Sequence, residues 1–277
     1  MTDVAGRTAF ITGGANGIGL GIARRLARAG ARLALVDMDV AALDRARQEL
    51  KDLTEVEVYR LDVRDRAAYA SVATEVESAL GPVSLLFNNA GVVTTTPVTK
   101  LSYALWDWST GVNLYGVING IQIFLRGMVE RGAGGHIVNT ASGAGLAAVG
   151  SGVLYSTAKF GVVGMSESLH GELKCTGIGV SVLCPGSVAT GIIERSANDA
   201  PPPDAPLSAE QEQRVAKRRR LIDEVLQQGT SADKVGELVL RAVLDNELYI
   251  HTDRMMEEPI KARAAAILDA MPLCQLP

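Results

Sequence analysis

The chain has 277 residues, 47% of them apolar and 21% charged, proportions that suit an α/β fold built as one domain around a single large core. A formal charge of -4 offers no basic surface to nucleic acid or an anionic membrane, which leaves a small molecule as the expected partner. No run reaches the ~20 apolar residues of a membrane span, and MTDVAGRTAF lacks the basic and apolar regions of a secretory signal, so a cytosolic protein is expected.

Over the first two hundred residues, short β-branched runs alternate with longer segments of helical period, the pattern of βαβ units. The predicted strands are Thr8–Thr12, Arg32–Asp37, Glu55–Asp62, Val83–Asn88, Gly135–Ala141 and Gly179–Pro185, with helices between them. The runs ITGG, LALVD, VSLLFNNAG, HIVNTAS and VSVLCPG are apolar on both faces, as strands covered by helices on either side must be. This predicts a doubly wound parallel sheet, whose ligands lie outside the carboxyl ends of the strands. From Ser196 the character changes, because SANDAPPPDAPLSAEQEQ carries four prolines before RVAKRRRLIDEVLQQG returns to a helical period. Residues 196–230 read equally well as a mobile lid or as a plain surface excursion. Within them, Lys217 to Arg220 reads as a solvated helix face rather than an anion site. A helix from Ala232, a strand at Leu248–His251 and a last helix over Glu257–Ala270 complete the chain, residues 252–277 forming a C-terminal extension. Cys175, Cys184 and Cys274 are odd in number and lack metal-ligand spacing, which suggests neither a disulfide framework nor a metal site.

The first chemical signal follows the first strand, where Gly13-Gly14-Ala15-Asn16-Gly17-Ile18-Gly19 runs into LGIARRLARAG. Glycines there let the chain turn tightly, present backbone N–H groups to a pyrophosphate and bring the helix close to the strand. Asp37 ends the second strand, where its carboxylate can accept hydrogen bonds from an adenosine ribose and would repel a 2′-phosphate. Neither Asn16 nor Met38 supplies the cation that NADP requires, so NAD is the expected cofactor. Asp39 is the better N-cap for the helix that follows. Asp62 is placed to hydrogen-bond an adenine amino group, with Asp65 the competing candidate to start the next helix. Asn88-Asn89-Ala90-Gly91 ends the fourth strand on the adenine and ribose side of the cleft.

The second signal is Tyr155 and Lys159, four apart and therefore on one helix face, about 6 Å apart along the axis. A phenol is a poor base at neutral pH, but a nearby ammonium and an oxidised nicotinamide both favour phenolate. Ser142, at the end of the fifth strand, can hold a substrate oxygen beside Tyr155. Asn113 can bridge Lys159 to solvent through a water. Val93, Thr94, Gly143, Ala144, Leu146, Val149, Leu154, Gly186 and Ser187 are candidate pocket residues, all uncharged, which suits an apolar alcohol or ketone. Trp106 and Trp108 read as packing or interface residues, and no histidine is assigned a catalytic role.

The motifs Thr12-Gly13-x-x-x-Gly17-Ile18-Gly19, Asn88-Asn89-Ala90-Gly91, Asn113, Ser142, Tyr155-x-x-x-Lys159 and Pro185-Gly186-x-x-x-Thr190 stand in the order of the short-chain dehydrogenase/reductase family, which residues 5–195 resemble almost without gap. The resemblance implies a single-domain Rossmann-type fold and an NAD-dependent interconversion of a secondary alcohol and a ketone. It implies that Tyr155 is the general acid/base, that Ser142 polarises the substrate oxygen, that Lys159 contacts the nicotinamide ribose, and that Asn113 supports a proton relay. Val188 and Thr190 would meet the nicotinamide carboxamide, Pro185 and Gly186 would adjoin it, and Val63 would flank adenine. Many members end in a strand followed by an aspartate and two glycines that build a tetramer interface. This chain has ELYIHTDRMMEEPIKARAAAILDAM instead, so the implied homo-oligomer is left as dimer or tetramer. The tail and GVNLYGVING resemble the branch of bacterial dehydrogenases that oxidise benzylic alcohols in lignin-derived aryl ethers, which implies a hydrophobic, cyclic or aromatic substrate. The alternatives are a nucleotide-sugar epimerase or dehydratase, which needs a larger C-terminal domain, and a non-catalytic NAD(H)-binding regulatory protein, which would not need Ser142, Tyr155, Lys159 and Asn113 together.

Overall fold

In the computed structural model, residues 2–148, 150, 152–202 and 206–272 are described; Val149, three residues of the proline-rich connection and the tail beyond residue 272, with Cys274, lie outside them. The elements run β1 (Thr8–Thr12), α1 (Gly17–Arg28), β2 (Arg32–Asp37), α2 (Val40–Leu50), β3 (Val56–Arg60), α3 (Arg66–Leu80) and β4 (Val83–Asn88). They continue as α4 (Tyr103–Thr110), α5 (Gly116–Arg131), β5 (Gly135–Thr140), α6 (Val153–Glu172), β6 (Ile178–Cys184), β7 (Val188–Ala189), α7 (Ile192–Asp199) and α8 (Ala209–Gln227). The last are β8 (Thr230–Ser231), α9 (Ala232–Asp245), β9 (Tyr249–His251) and α10 (Glu257–Asp269).

Seven strands form one parallel sheet in the order β3-β2-β1-β4-β5-β6-β9. The strand order reverses between β1 and β4, which opens a crevice at their carboxyl ends. Alternation along each strand explains the two cores. Ile11, Leu35, Leu85 and Val138 face one side with residues of α1 and α9, while Phe10, Ala34, Leu86 and Ile137 face the other with Tyr69, Phe124 and Met128. Asp39 accepts from the Ala42 N–H at 2.9 Å and Asp65 from Ala67 and Ala68 at 3.0 Å, so these two acids cap their helices and leave Asp37 and Asp62 to the crevice.

β1, β2 and β4 have their expected bounds. β3 and β5 are shorter than predicted, and β6 both starts and stops one residue earlier. β5 stops at Thr140 because Ser142 turns its hydroxyl onto the Ala144 N–H, 3.1 Å away, and opens a 3-10 turn over Gly143–Gly145. α1 and α9 pack backbone to backbone: a Cβ at Gly21 would overlap the Ala232 carbonyl oxygen, and one at Gly236 would overlap the Gly21 carbonyl oxygen.

Ser196, expected to begin a proline-rich excursion, lies inside α7, and the excursion starts only after Asp199. α8 opens with a capping box between Ser208 and Gln211 and buries none of its residues. Its basic run is not simply a solvated face. Arg219 donates to the Thr95 hydroxyl at 3.1 Å and Arg218 to the Gly150 carbonyl at 2.9 Å, so two of these four cations fasten α8 to the loops beside the crevice. Among the described residues, no helix is long and apolar enough to cross a membrane.

Candidate active site

The crevice holds a cleft of about 390 Å³ that runs from the glycine loop to Tyr155 and Lys159. At its inner end, α6 turns Tyr155 and Lys159 to one side, with the Lys159 ammonium 5.5 Å from the centre of the Tyr155 ring. Lys159 is only 2% exposed and donates to the Thr140 carbonyl at 2.8 Å. Burial pulls its pKa down to about 8, so the ammonium sits near its midpoint in mildly alkaline solution. Burial pushes the Tyr155 phenol up, while its hydrogen bond with Ser142 pulls it down. Ser142 thus faces both the phenol and its own turn.

Asn113 lies in a π-helical turn, Gly111–Tyr115, between α4 and α5. The widened turn swings its amide inward to bond residue 92 on both sides. Its Nδ2 donates to the Val92 carbonyl at 2.8 Å, and its Oδ1 accepts from the Val92 N–H at 3.2 Å. Gly91 runs between the Asn113 Oδ1 and the Lys159 Nζ, so the two converge there.

At the outer end, Gly13, Asn16, Gly17 and Ile18 line the cleft with Asp37, while Gly19 does not. Gly19 acts from behind: a Cβ there would overlap the Gly13 carbonyl oxygen and stand 2.7 Å from the Asn89 Nδ2. Asn89 clamps the loop from β4, donating to the Thr12 and Gly13 carbonyls at 3.1 and 3.3 Å. Asp37 accepts from the Ala15 and Asp39 N–H groups at 3.3 and 3.2 Å; burial raises its pKa, and those backbone bonds oppose the rise. Asp62 also lines the cleft beside Val63, but both its oxygens are engaged by Arg64, which holds its pKa low.

Asn89, Ala90, Gly91, Pro185 and Thr190 complete the lining expected from sequence. Asn88 does not belong to it, being buried with its amide on Asn139 at 2.9 Å. Gly186 and Val188, also expected there, do not line the cleft, and Val188 is buried in the core. The expected pocket residues are less exposed to the cleft. Leu154 is buried against Leu105 and Trp108, and Gly143 and Ala144 lie under the Ser142 turn. Val93 gives its N–H to Ser196 at 3.0 Å.

Several cleft or wall residues carried no sequence signal. Trp108, Ile192, Arg195 and Ser196 line the cleft. The C-terminal extension packs beside the site: Met256 lies against Gly143, the Asp253 carboxylate against Gly186, and the Gly186 N–H donates to the Thr252 hydroxyl at 3.0 Å. No local spacing could reveal contacts between residues this far apart in the chain.

A family model described as short chain dehydrogenase matches residues 7–201. The chain belongs to the short-chain dehydrogenase family. It is an oxidoreductase of that family with a Rossmann-type fold. This dehydrogenase is similar to the C alpha-dehydrogenase of a Sphingobium species, with 35% identity over 273 residues, which are 98% of this chain and 88% of the relative. Among solved structures, a short chain dehydrogenase/reductase from Burkholderia phymatum in complex with NAD is 33% identical, covers both chains fully and has a TM-score of 0.90. LigO from Sphingobium is 36% identical over 98% of this chain and 91% of its own, with a TM-score of 0.80.

Proposed function

We propose that this dehydrogenase interconverts a secondary alcohol and a ketone with NAD, acting on a hydrophobic, cyclic or aromatic small molecule. The observation that carries the reading is the pairing of Tyr155, hydrogen-bonded to Ser142, with Lys159 at the inner end of a cleft whose outer end is the glycine loop. The cleft suits a dinucleotide. Asn16 puts no side chain on the first N–H groups of α1, whose first turn holds no acid, so that helix end is open to an anion. Asn16 to Ile18 would hold the pyrophosphate, Asp37 the adenosine ribose, Lys159 the nicotinamide ribose and Thr190 the carboxamide. Bound there, NAD supplies the hydride acceptor for oxidation and NADH the donor for reduction.

The chain supplies the proton. In oxidation, the Tyr155 phenolate takes the hydroxyl proton of an alcohol held by the Ser142 hydroxyl; in reduction, the phenol returns a proton to the carbonyl oxygen. The Lys159 ammonium, 5.5 Å from the centre of the ring, favours the phenolate by Coulomb attraction. That attraction opposes the burial that otherwise keeps the phenol protonated. Asn113, close to the ammonium, extends the proton path toward solvent through a water. The protein works in the cytosol as a homo-oligomer, dimer or tetramer, whose size light scattering measures.

The test is a panel of cyclic, benzylic and steroidal secondary alcohols read by nicotinamide absorbance. Turnover of at least one class is expected, and NADH binding without turnover of any would remove the reading. Lys159→Met carries the proton chemistry further. Loss of the cation raises the Tyr155 pKa, so the pH at which alcohol oxidation reaches its plateau should move up and the rate at neutral pH should fall more than about tenfold. An unmoved pH profile would show that Lys159 does not act on the phenol. For the cofactor, Asp37→Ser should relax the preference for NAD over NADP by about tenfold or more, because it removes the charge that repels a 2′-phosphate. An unchanged ratio of kcat/KM values would place selectivity elsewhere.

A further inference from the structure

Arg195 is the residue whose surroundings are least explained by packing. It stands on α7, lines the cleft, and brings its Nη2 within 3.7 Å of where a Cβ of Gly17 would lie. The other cations lining the cleft are committed: Arg64 is fastened to both oxygens of Asp62, and Lys159 donates to the Thr140 carbonyl. Arg195 has neither an ion pair nor a side-chain hydrogen bond to any described residue, and the charge it acts on is the Asp37 carboxylate, whose pKa it helps to lower from a distance. Next to Arg195, at Gly17, are the uncapped N–H groups at the start of α1, with no acid in that helix turn.

Two positive groups therefore meet beside Gly17, one a helix terminus and the other a guanidinium. The guanidinium attracts Asp37 without touching it, so its fork of N–H donors is open to the oxygens of an anion that enters the cleft. α7 is held in place independently, since the Ser196 hydroxyl accepts from the Val93 N–H at 3.0 Å and the Thr190 carbonyl just before the helix accepts from Gln227 at 3.2 Å. α7 thus lines the cleft and brings its cation to it.

We propose that Arg195 binds the pyrophosphate of the dinucleotide from α7, together with the α1 N–H groups. The inference rests on the NAD reading above and adds a binding residue that lies outside the glycine loop. A guanidinium meets phosphate oxygens in a bidentate fork that lysine cannot reproduce, so the Arg195→Lys variant should retain only part of the effect.

Calorimetric titration separates the possibilities, using NADH, ADP-ribose, adenosine and NADPH with the wild type, Arg195→Ala and Arg195→Lys. Arg195→Ala should weaken NADH and ADP-ribose alike, by roughly tenfold to a hundredfold, with adenosine unchanged and Arg195→Lys intermediate. The melting temperature without ligand should be unchanged, and the upward shift caused by NADH should shrink. Equal NADH affinity in Arg195→Ala and wild type would overturn the proposal, as would equal weakening of adenosine, which marks a disturbed cleft. A loss confined to NADPH would also overturn it, placing the guanidinium at the adenosine ribose. If the wild type binds neither NADH nor ADP-ribose, the dinucleotide reading falls and the clamp falls with it; if the wild type binds and the variants match it, the clamp alone is wrong.

Discussion

Tyr155→Phe should bind NADH as tightly as the wild type and lose at least about 10³-fold in turnover. The substitution removes one oxygen atom from a ring that stays on the same helix face, above the same lysine. What disappears is the proton-carrying group and its hydrogen bond with Ser142, whose loss costs on the order of 1 kcal/mol of stability. The glycine loop and Asp37 lie at the other end of the cleft and do not sense the change. Parallel measurements of NADH fluorescence titration and steady-state rates with the best alcohol check it. Residual activity near the wild-type rate would transfer the acid/base role to another group.

Gly19→Ala should do the reverse, damaging binding before chemistry. The added methyl group overlaps the Gly13 carbonyl oxygen and crowds the Asn89 amide, which itself holds Thr12 and Gly13. The first obstacle is backbone and the second a side chain pinned by two hydrogen bonds, so the loop must move away from the start of α1. Displacing the backbone N–H groups that face the pyrophosphate should weaken NADH about a hundredfold, some 2.7 kcal/mol. Overpacking of this kind costs about 1–3 kcal/mol, which lowers the melting temperature of a chain of this size by roughly 5 °C. Gly171→Ala is the control, because nothing lies within 4 Å of a Cβ there; it should bind NADH normally and melt no lower. Normal NADH affinity in Gly19→Ala would mean that close approach of helix and loop is dispensable.

The parts of the molecule that were legible in the sequence are those where chemistry and local pattern coincide. β1, β2 and β4 are apolar on both faces and end at polar or glycine signals, so their bounds are expressed within a few residues of sequence. Asp39 and Asp65 announce themselves as caps by standing just before a helical period. Tyr155 and Lys159 are readable because one helix turn fixes their relation, whatever packs around it. Arg195, Trp108 and Met256 were not readable, because their relation to the cleft is set by tertiary packing across many tens of residues. The start of α7 was hidden for a related reason. Its residues GIIERSAND blend into the prolines that follow, and only the hydroxyl of Ser196 on the Val93 N–H fixes where the helix turns back over the cleft. Asn89 was readable as a cleft residue, whereas its service as a clamp on the glycine loop follows from three-dimensional proximity alone.

The reciprocal fit of Gly21 with Ala232 and of Gly236 with Gly21 bears on how the chain is made. Every motif of the nucleotide site precedes residue 200, yet the helix that begins that site rests, glycine to backbone, on an element some two hundred residues downstream. During synthesis the ribosome releases the motif-bearing stretch long before its backing helix emerges, so α1 waits with one flank uncovered. A nascent chain stalled before residue 232 should therefore be protease-sensitive at α1, and the segment that looks like a portable cofactor module is not a unit of folding.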